Sequence, residues 1–266
     1  MTAEDRPVSV QDFALWKKQG RKIAVLTAYD YPTARLLDEA GVDSLLVGDS
    51  LGTTVQGRDT TLSVTLDQVI YHAEMVARAA RRALVIADLP YLSYHLSHRQ
   101  AIRSAGRVLK ETHCQAVKLE GGRKRSAIIR AVVEAEAPVA AHIGLTPQSI
   151  RRLGGYRVQR AEDELRADAQ AVTEAGAFAV VLECVPAALA ARISSEIPIP
   201  TIGIGAGAGC DGQVLVVHDM LGLTEGFRPR FARRYAELSD TIRTAAAAFA
   251  SDVREGRFPS EDESFR

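Results

Sequence analysis

The sequence predicts an α/β protein folded as a (β/α)8 barrel, and three observations lead to this prediction. The chain has 266 residues, close to the ~250 that such a barrel typically needs. Eight short apolar segments recur along it, mostly separated by segments of helical periodicity. Several of these segments run directly into a charged residue or a histidine, as expected where strand ends build a site. A doubly wound open sheet is the alternative, but it would concentrate such residues at one switch point.

The predicted strands are short runs of apolar and β-compatible residues. They cover residues 23–28, 44–48, 84–87, 116–119, 138–142, 178–182, 200–204 and 214–217. The intervening helices are predicted at residues 33–40, 65–82, 97–111, 123–135, 161–175 and 186–195. The eighth strand is expected to end at His218 and Asp219.

Two further helices flank these repeats. Residues 8–18 place apolar side chains near one helical face, which predicts a short N-terminal helix that closes one end of the fold. An alanine-rich helix is predicted over residues 230–256, as a C-terminal helical tail. Because no Ser/Gly tract or Pro-rich segment interrupts the chain, we expect one domain over residues 1–266.

Charge and composition exclude several classes of function. The chain has 33 basic and 33 acidic residues without a basic stripe, so nucleic acid and membrane surfaces are not expected partners. The first residues lack a signal-peptide pattern, and no apolar run approaches the ~20 residues of a membrane span. We therefore expect a soluble cytoplasmic protein. Its three cysteines lack CxxC spacing, which predicts reduced thiols; for Cys184, a small buried residue is favoured over a nucleophile.

Three carboxylates end consecutive predicted strands. Asp49, Asp88 and Glu120 follow the second, third and fourth strands, and neighbouring strands lie ~4.8 Å apart. Any one of these acids alone would be interpreted as a helix cap or a solvated loop residue. Three at adjacent strand ends would repel each other, and the usual remedy is an oxygen-preferring divalent cation. The sequence therefore predicts a site for Mg2+.

Other polar residues follow the same strands. Lys118 shares a strand face with Glu120 and needs an anion, either the acid cluster or a substrate carboxylate. His142 could bind metal, orient a substrate or be satisfied by backbone groups. Glu183 ends the sixth strand away from the acid cluster and is the expected free base.

A glycine-rich turn, GIGAGAG at residues 203–209, raises the question of nucleotide binding. The turn follows the seventh strand rather than the first, and no acid occupies the ribose-binding spacing. We therefore expect either anion binding by backbone amides or a tight turn.

A family resemblance spans most of the chain. It rests on TAYDYPTA (27–34), LLVGDSLGTTVQG (45–57), ADLPY (87–91), VKLEGG (117–122), HIGLTPQS (142–149), GGYRVQ (154–159), VLECVP (181–186) and GIGAG..CDGQVLVVHD (203–219). In this order, these motifs resemble the ketopantoate hydroxymethyltransferase family. The resemblance implies a barrel of the phosphoenolpyruvate/pyruvate type, a homodecamer, and Mg2+. It also implies transfer of a one-carbon unit from 5,10-methylenetetrahydrofolate to 3-methyl-2-oxobutanoate.

The resemblance also assigns roles to individual residues. By motif, Asp49, Asp88 and Glu120 correspond to the family's metal-site acids, and Glu183 to its proton acceptor. The ketoacid contacts correspond to Asp49, Ser50, Asp88 and Lys118, and His142 matches an active-site histidine.

Two alternative functions remain at this point. A metal-dependent carbon–carbon lyase of the same barrel type would use the same acids and base, but without folate. A binding or scaffold protein would not need a base at all.

Overall fold

Eight parallel strands form a closed barrel in the computed structural model, which describes residues 6–155, 157–224, 226 and 229–265. The strands are β1 (Ile23–Thr27), β2 (Ser44–Val47), β3 (Leu84–Asp88), β4 (Ala116–Glu120), β5 (Val139–Gly144), β6 (Ala179–Glu183), β7 (Thr201–Ile204) and β8 (Gly212–Leu215). Each strand pairs with its sequence neighbours, and β8 pairs with β1 to close the ring. The predicted (β/α)8 barrel is therefore confirmed.

Helices and helical turns precede, connect and follow the strands. They are α1 (Val10–Gln19), α2 (Tyr31–Glu39), α3 (Leu51–Thr54), α4 (Leu66–Ala79), α5 (His98–Thr112), α6 (Ser126–Glu134), α7 (Ile150–Leu153), α8 (Glu162–Glu174), α9 (Ala187–Glu196), α10 (Val217–Met220) and α11 (Leu238–Arg254). Short 3-10 turns occur at Thr61–Ser63, Arg123–Arg125, Pro147–Ser149 and Glu261–Glu263. Most predicted boundaries agree with these to within a few residues.

Local sequence explains how individual helices begin. The Asp30 side chain accepts a hydrogen bond from Thr33 N at 2.8 Å, so it caps α2 directly after β1. Thr65 and Gln68 cap the first turn of α4 reciprocally. Strands β3 and β4 are buried at every position, as expected for parallel strands covered on both faces.

Helix α1 closes the amino end of the barrel, as predicted. Its Phe13 and Trp16 belong to the same buried apolar cluster as Ile23, Leu84 and other side chains of the barrel interior. Phe13 also contacts the Phe178 ring edge-on, with centroids 5.6 Å apart. The apolar face that the sequence places on this helix is thus buried against the bottom of the barrel.

The prediction for the eighth strand was wrong at its end. The strand begins at Gly212, whose missing side chain lets the backbone approach Ile23: a Cβ there would lie 2.5 Å from the Ile23 carbonyl oxygen. Pairing with β1 ends at Leu215, and Val217–Met220 is helical. His218 therefore lies in a helical turn and not at a strand end.

The C-terminal helix also begins later than predicted. It starts at Leu238 rather than near residue 230. Before that point the backbone bonds to other segments: Tyr235 N donates to Met220 O at 2.8 Å, and Leu238 N donates to Leu221 O at 2.9 Å. These long-range bonds take the place of the i→i−4 hydrogen bonds that a helix starting near residue 230 would form.

The chain forms two compact units, Met1–Val216 and Val217–Arg266. The first contains the barrel and the second contains α10 and α11. A single domain over residues 1–266 stays a prediction. Within the described residues, none of the helices has the length and hydropathy of a membrane span.

Candidate active site

The three predicted acids lie together at the carboxyl edge of the barrel. Asp49 follows β2 by two residues, and Asp88 and Glu120 are the last residues of β3 and β4. Their exposures are only 3–5%. The strand register places Asp88 opposite Lys118, and Glu120 opposite His142, so five polar side chains from four neighbouring strands share one end of the barrel.

Asp49 and Asp88 are in direct contact. The backbone N–H of Asp49 donates to Asp88 Oδ2 at 3.1 Å. Gly48 makes room for this contact, because a Cβ there would lie 3.2 Å from Asp88 Oδ2 and 2.8 Å from Ser50 Oγ. The glycine that ends the second predicted strand thus allows the acids to approach.

Lys118 supplies the positive charge within this group. Its Nζ lies 2.6 Å from Asp88 Oδ1 and 3.3 Å from His142 Nδ1. Burial by itself lowers the lysine pKa, but attraction to the surrounding carboxylates, Asp88 foremost, more than offsets this and raises it. Lys118 is therefore charged at neutral pH although it is only 5% exposed.

The acids hold a proton when no cation is present. Burial, together with repulsion from Asp88, raises the pKa of Asp49 to about 7. Burial and the charge of Asp49 raise the pKa of Glu120 well above its ordinary value. One ammonium does not neutralise this group of carboxylates, so a bound divalent cation would take the place of the proton.

The acid cluster could bind Mg2+ through two adjacent carboxylates rather than through a larger set of protein ligands. Among the described residues, no set of three or more His, Cys, Asp or Glu side chains is arranged to hold a metal ion. Mg2+ keeps several waters and is commonly bound by one or two carboxylates together with substrate oxygens. The adjoining Asp49 and Asp88 meet that requirement, with Glu120 nearby.

His142 connects this group to Glu183. Its Nε2 lies 3.3 Å from Glu183 Oε2, and its Nδ1 lies 3.7 Å from Glu120 Oε1. Burial, and then the charge of Lys118, lower the histidine pKa, so the ring is neutral at neutral pH. Because Lys118 can only donate, the tautomer that fits has Nδ1 as acceptor and its hydrogen on Nε2, facing Glu183.

The backbone around Glu183 depends on a glycine in the neighbouring strand. Gly144 has φ +91°, and a Cβ there would lie 2.3 Å from the Glu183 carbonyl oxygen. That oxygen accepts a hydrogen bond from Leu145 N at 2.8 Å. Next to it, Cys184 has φ 51°, and burial followed by the Glu183 charge raises its thiol pKa to about 11. The thiol is therefore protonated at neutral pH, unlike a reactive cysteine.

Ser50, the remaining predicted contact residue, is held by a buried tyrosine. Its Oγ lies 2.7 Å from the hydroxyl of Tyr29, which is 2% exposed. Tyr29 follows β1, so the first two strands together orient this hydroxyl beside Asp49.

Gln148 and Tyr94 were not singled out from the sequence. Gln148 Nε2 donates to Asp49 Oδ2 at 2.9 Å, and the Gln148 backbone N–H donates to Glu120 Oε2 at 3.0 Å. The Tyr94 hydroxyl donates to Gln148 Oε1 at 2.7 Å. Gln148 lies within the motif HIGLTPQS, but a neutral loop amide carries no signal of its own.

The glycine-rich turn after β7 is a packing feature. Side chains at Gly207 and Gly209 would lie 2.4 and 2.6 Å from the Cβ atoms of Ala187 and Ala191 in α9. Close approach to α9 therefore accounts for the missing side chains at Gly207 and Gly209. The positive φ angles of Gly205 and Gly207, 63° and 79°, fit the tight-turn alternative.

A parallel barrel with buried acids, a lysine and a histidine at its carboxyl ends defines a (β/α)8-barrel enzyme. Solved structures with this fold include phosphoenolpyruvate phosphomutase from Streptomyces platensis subsp. rosaceus, with TM-score 0.64 and 16% identity over 93% of this chain and 88% of that one. A 2,3-dimethylmalate lyase of the PEP mutase/isocitrate lyase superfamily has TM-score 0.60 and 19% identity, covering 96% and 91%. At these identities the likeness shows the fold alone, and it agrees with the (β/α)8 barrel.

Sequence relatives identify the family. The model of the ketopantoate hydroxymethyltransferase family matches residues 7–261. Proteins named 3-methyl-2-oxobutanoate hydroxymethyltransferase from Trichlorobacter lovleyi and Rhodopirellula baltica are 52% and 55% identical. The first covers 98% of this chain and 99% of its own, and the second 94% and 93%. This chain belongs to the ketopantoate hydroxymethyltransferase family.

Proposed function

We propose that this protein transfers a hydroxymethyl group from 5,10-methylenetetrahydrofolate to 3-methyl-2-oxobutanoate, forming ketopantoate for pantothenate and coenzyme A biosynthesis. Relatives that match this chain over nearly its full length and carry the name of this activity support the proposal. The observation that carries it is the arrangement of Glu183 beside His142, next to an acid pair suited to a cation. Such an arrangement can remove a proton from carbon beside a ketone.

Asp49 and Asp88 are the proposed Mg2+ ligands, with Glu120 beside them. Their adjacency and the raised pKa of Asp49 support this assignment, because a cation would relieve the repulsion between them. When bound, Mg2+ would polarise the carboxylate and keto oxygens of the ketoacid and stabilise negative charge there.

Lys118 and Ser50 are the proposed positioning groups for the ketoacid. The charged ammonium of Lys118 can pair with the substrate carboxylate, and the Ser50 hydroxyl can donate to an oxygen beside Asp49. Tyr29 holds Ser50, and Asp88 holds Lys118, so both donors are oriented before substrate binds. Preorganised contacts of this kind can supply several kcal/mol toward the barrier.

Glu183 is the proposed base, and His142 its support. The Glu183 carboxylate takes the hydrogen from C3 of the ketoacid, and the electron pair of that C–H bond moves toward the keto group. His142 faces Oε2 with Nε2, which leaves Oε1 to accept the proton. C3 then bonds to the methylene carbon of the folate as the bond from that carbon to N10 breaks, and N10 takes up the proton held by Glu183. Water next displaces N5 from the same carbon, so that its hydroxyl group completes ketopantoate and its remaining proton goes to N5 of tetrahydrofolate.

A product assay tests the proposed function. The purified protein is incubated with 3-methyl-2-oxobutanoate, methylenetetrahydrofolate and Mg2+, and ketopantoate is measured by NMR against reactions that lack one component. We expect product only in the complete mixture. Cleavage of citramalate-like or isocitrate-like acids without folate would identify a lyase instead. Absence of turnover under every condition would support a binding protein.

We also propose a cytoplasmic homodecamer without nucleic-acid or membrane partners. The family resemblance and the balanced charge of the chain support this proposal. Helix α11 contains no buried residue, and Ile242, Phe249 and Val253 on it are about half exposed. Sedimentation of the intact protein is expected to show a large assembly. A monomer at micromolar concentration would contradict it.

A further inference from the structure

Gln148 is the most completely bonded polar side chain around the acid cluster. It lies in the 3-10 turn that follows β5 and is 6% exposed. Its side-chain nitrogen donates to Asp49 Oδ2 at 2.9 Å and to the Leu89 carbonyl oxygen at 3.0 Å. Its Oε1 accepts from the Tyr94 hydroxyl at 2.7 Å, and its backbone N–H donates to Glu120 Oε2 at 3.0 Å. One residue therefore bonds to two of the three acids.

Tyr94 and the acceptors around the Gln148 side-chain nitrogen together set which way the amide faces. The Tyr94 hydroxyl accepts from Glu120 N at 3.1 Å, and of the two acceptors within reach of its one hydrogen, Gln148 Oε1 at 2.7 Å is nearer than the Glu120 carbonyl oxygen at 3.2 Å. A reversed amide would place its oxygen against Asp49 Oδ2 and the Leu89 carbonyl oxygen, three acceptors without a hydrogen between them. The observed orientation is the one that satisfies every group.

We infer that Gln148 is a positioning residue for the proposed cation site, holding the carboxylates of Asp49 and Glu120 by one oxygen each. The second oxygens, Asp49 Oδ1 and Glu120 Oε1, are then presented in a fixed orientation. Groups that hold a metal ligand in this way typically change metal affinity 10- to 100-fold when they are removed.

A neutral amide is suited to this role for an electrostatic reason. Lysine or arginine at position 148 would also offer a donor to Asp49, but would add a charge that competes with the cation. Glutamate would add a further acid to a buried group whose members already repel each other. The side-chain amide orients Asp49, while the backbone N–H of the same residue holds Glu120, and the charge of the cluster is unchanged.

The test is Mn2+ binding to the metal-free protein, followed by electron paramagnetic resonance, for wild type and Gln148→Met. Methionine keeps the length and approximate volume but loses every side-chain hydrogen bond. We expect Mn2+ affinity about 10- to 100-fold below wild type. The matched control is Gln115→Met, which removes the hydrogen bond from Val85 N at the amino end of the barrel. The control should bind Mn2+ like wild type, and thermal unfolding shows that each variant is folded.

A second variant covers the case in which Gln148→Met does not fold. Tyr94→Phe removes the hydroxyl that donates to the amide oxygen but leaves Gln148 in place, so a smaller loss of Mn2+ affinity is expected. Affinity equal to wild type in folded Gln148→Met, or in Tyr94→Phe if the first variant is unfolded, overturns the inference. The inference rests on the proposed cation site, and a wild-type protein that binds no Mn2+ would overturn both. Unchanged affinity in the variants alone would leave the proposed function standing.

Discussion

The two ends of the barrel differ in how their acidic side chains are neutralised. At the amino end, each of these acids has cations or backbone donors: the partly buried Asp211 pairs with Lys17 at 2.8 Å, and Asp43 pairs with Arg21 at 2.9 Å. The buried Asp38 accepts from the backbone N–H groups of Arg81 and Ala83 at 2.8 and 2.6 Å. At the carboxyl end, Asp49, Asp88 and Glu120 share a single lysine. The amino end is electrostatically complete without a ligand, whereas the carboxyl end is not.

This difference indicates that the amino end of the barrel contributes mainly to stability and the carboxyl end mainly to function. Paired charges and the apolar contacts of α1 hold the amino end together, so changes there should affect unfolding. Unmatched carboxylates cost free energy, and such sites are retained where binding or catalysis needs them. The following predictions test this separation, from the largest expected effect to the smallest.

The largest effect is expected for Glu183→Gln at the carboxyl end. The amide keeps the shape of the side chain but cannot accept the proton, so exchange of the C3 hydrogen of 3-methyl-2-oxobutanoate should slow by about 10²- to 10⁴-fold. The exchange is followed by NMR in deuterated water with Mg2+ and without folate. If wild type exchanges only with folate, a folate analogue is added to every sample.

Glu111→Gln is the control for this change, because it makes the same substitution at the end of α5, by the amino end of the barrel. It should exchange like wild type. Mg2+ binding should survive in both variants. If Glu183→Gln exchanged at the wild-type rate, another group would be the base, and His142 would be the first candidate.

Phe13→Ala should produce the largest effect at the amino end. Phe13 is 1% exposed and packs against Trp16 and Phe178, so truncation leaves a cavity in the closing layer. We expect a loss of about 3–5 kcal/mol in the free energy of unfolding, measured with urea. The exchange rate of the ketoacid in the folded protein should stay unchanged. A large loss of exchange without a loss of stability would contradict the proposed division of roles.

The raised carboxylate pKa values predict opposite pH effects on metal-free and metal-bound protein. Asp49 has a folded pKa of about 7, above its unfolded value, so the folded state binds the extra proton. The free energy of unfolding of the metal-free protein is therefore highest below about pH 4. It should fall by an amount on the order of a few kcal/mol as the pH rises toward 7. Mg2+ affinity should rise over the same range, by up to tenfold per pH unit, because the cation displaces a proton.

Calorimetry in buffers of different ionisation enthalpy measures the protons released on Mg2+ binding. Asp49→Asn is the control for the stability effect, since it should flatten the pH dependence of thermal unfolding in the metal-free protein. An unchanged slope in that variant would assign the proton to another group.

The smallest expected effect is that of Asp12→Asn in α1. Asp12 Oδ2 accepts hydrogen bonds from Ser9 N at 2.8 Å and Ser9 Oγ at 2.7 Å, and the Arg6 guanidinium holds the Asp12 pKa well below its ordinary value. Since Arg6 is half exposed, the capping contacts supply most of the effect, about 1 kcal/mol. A lowered pKa stabilises the protein above about pH 4, and this contribution is lost at lower pH.

Urea unfolding at neutral and acidic pH measures this difference between wild type and Asp12→Asn. The two proteins should converge as the aspartate becomes protonated. A difference that persisted unchanged at low pH would indicate a packing effect of the amide rather than the charge.

Much of the fold was predictable because a parallel barrel gives each strand a strong signal. Strands β3 and β4 are buried throughout, so their sequences are apolar runs that end in a charge. The eighth strand lacked this signal, because its first residues, Gly212 and Gln213, resemble the preceding turn. The start of α11 was misplaced because long-range backbone bonds, such as Tyr235 N to Met220 O, override alanine's helix propensity.

The grouping of candidate-site residues was predictable where a residue is charged and lies at or near the carboxyl end of a strand. Asp49, Asp88, Lys118 and Glu120 are of this kind. The contact between His142 and Glu183 depends on the closing geometry of β5 and β6, which spacing along the chain does not give. Gln148 is neutral and lies in a loop, so its bonds to two acids could be found only from three-dimensional contacts.

Because α1 closes the amino end of the barrel with apolar side chains, the fold bears on the order in which substrates bind and products leave. With Phe13 and Trp16 packed into the bottom of the barrel, the carboxyl-end mouth is the entrance expected for ligands of Asp49 and Glu183. In the proposed reaction, two substrates that use this entrance would bind in a fixed order. A ketoacid at the buried acids would take the inner position, so the bulkier folate would enter after it and leave before ketopantoate.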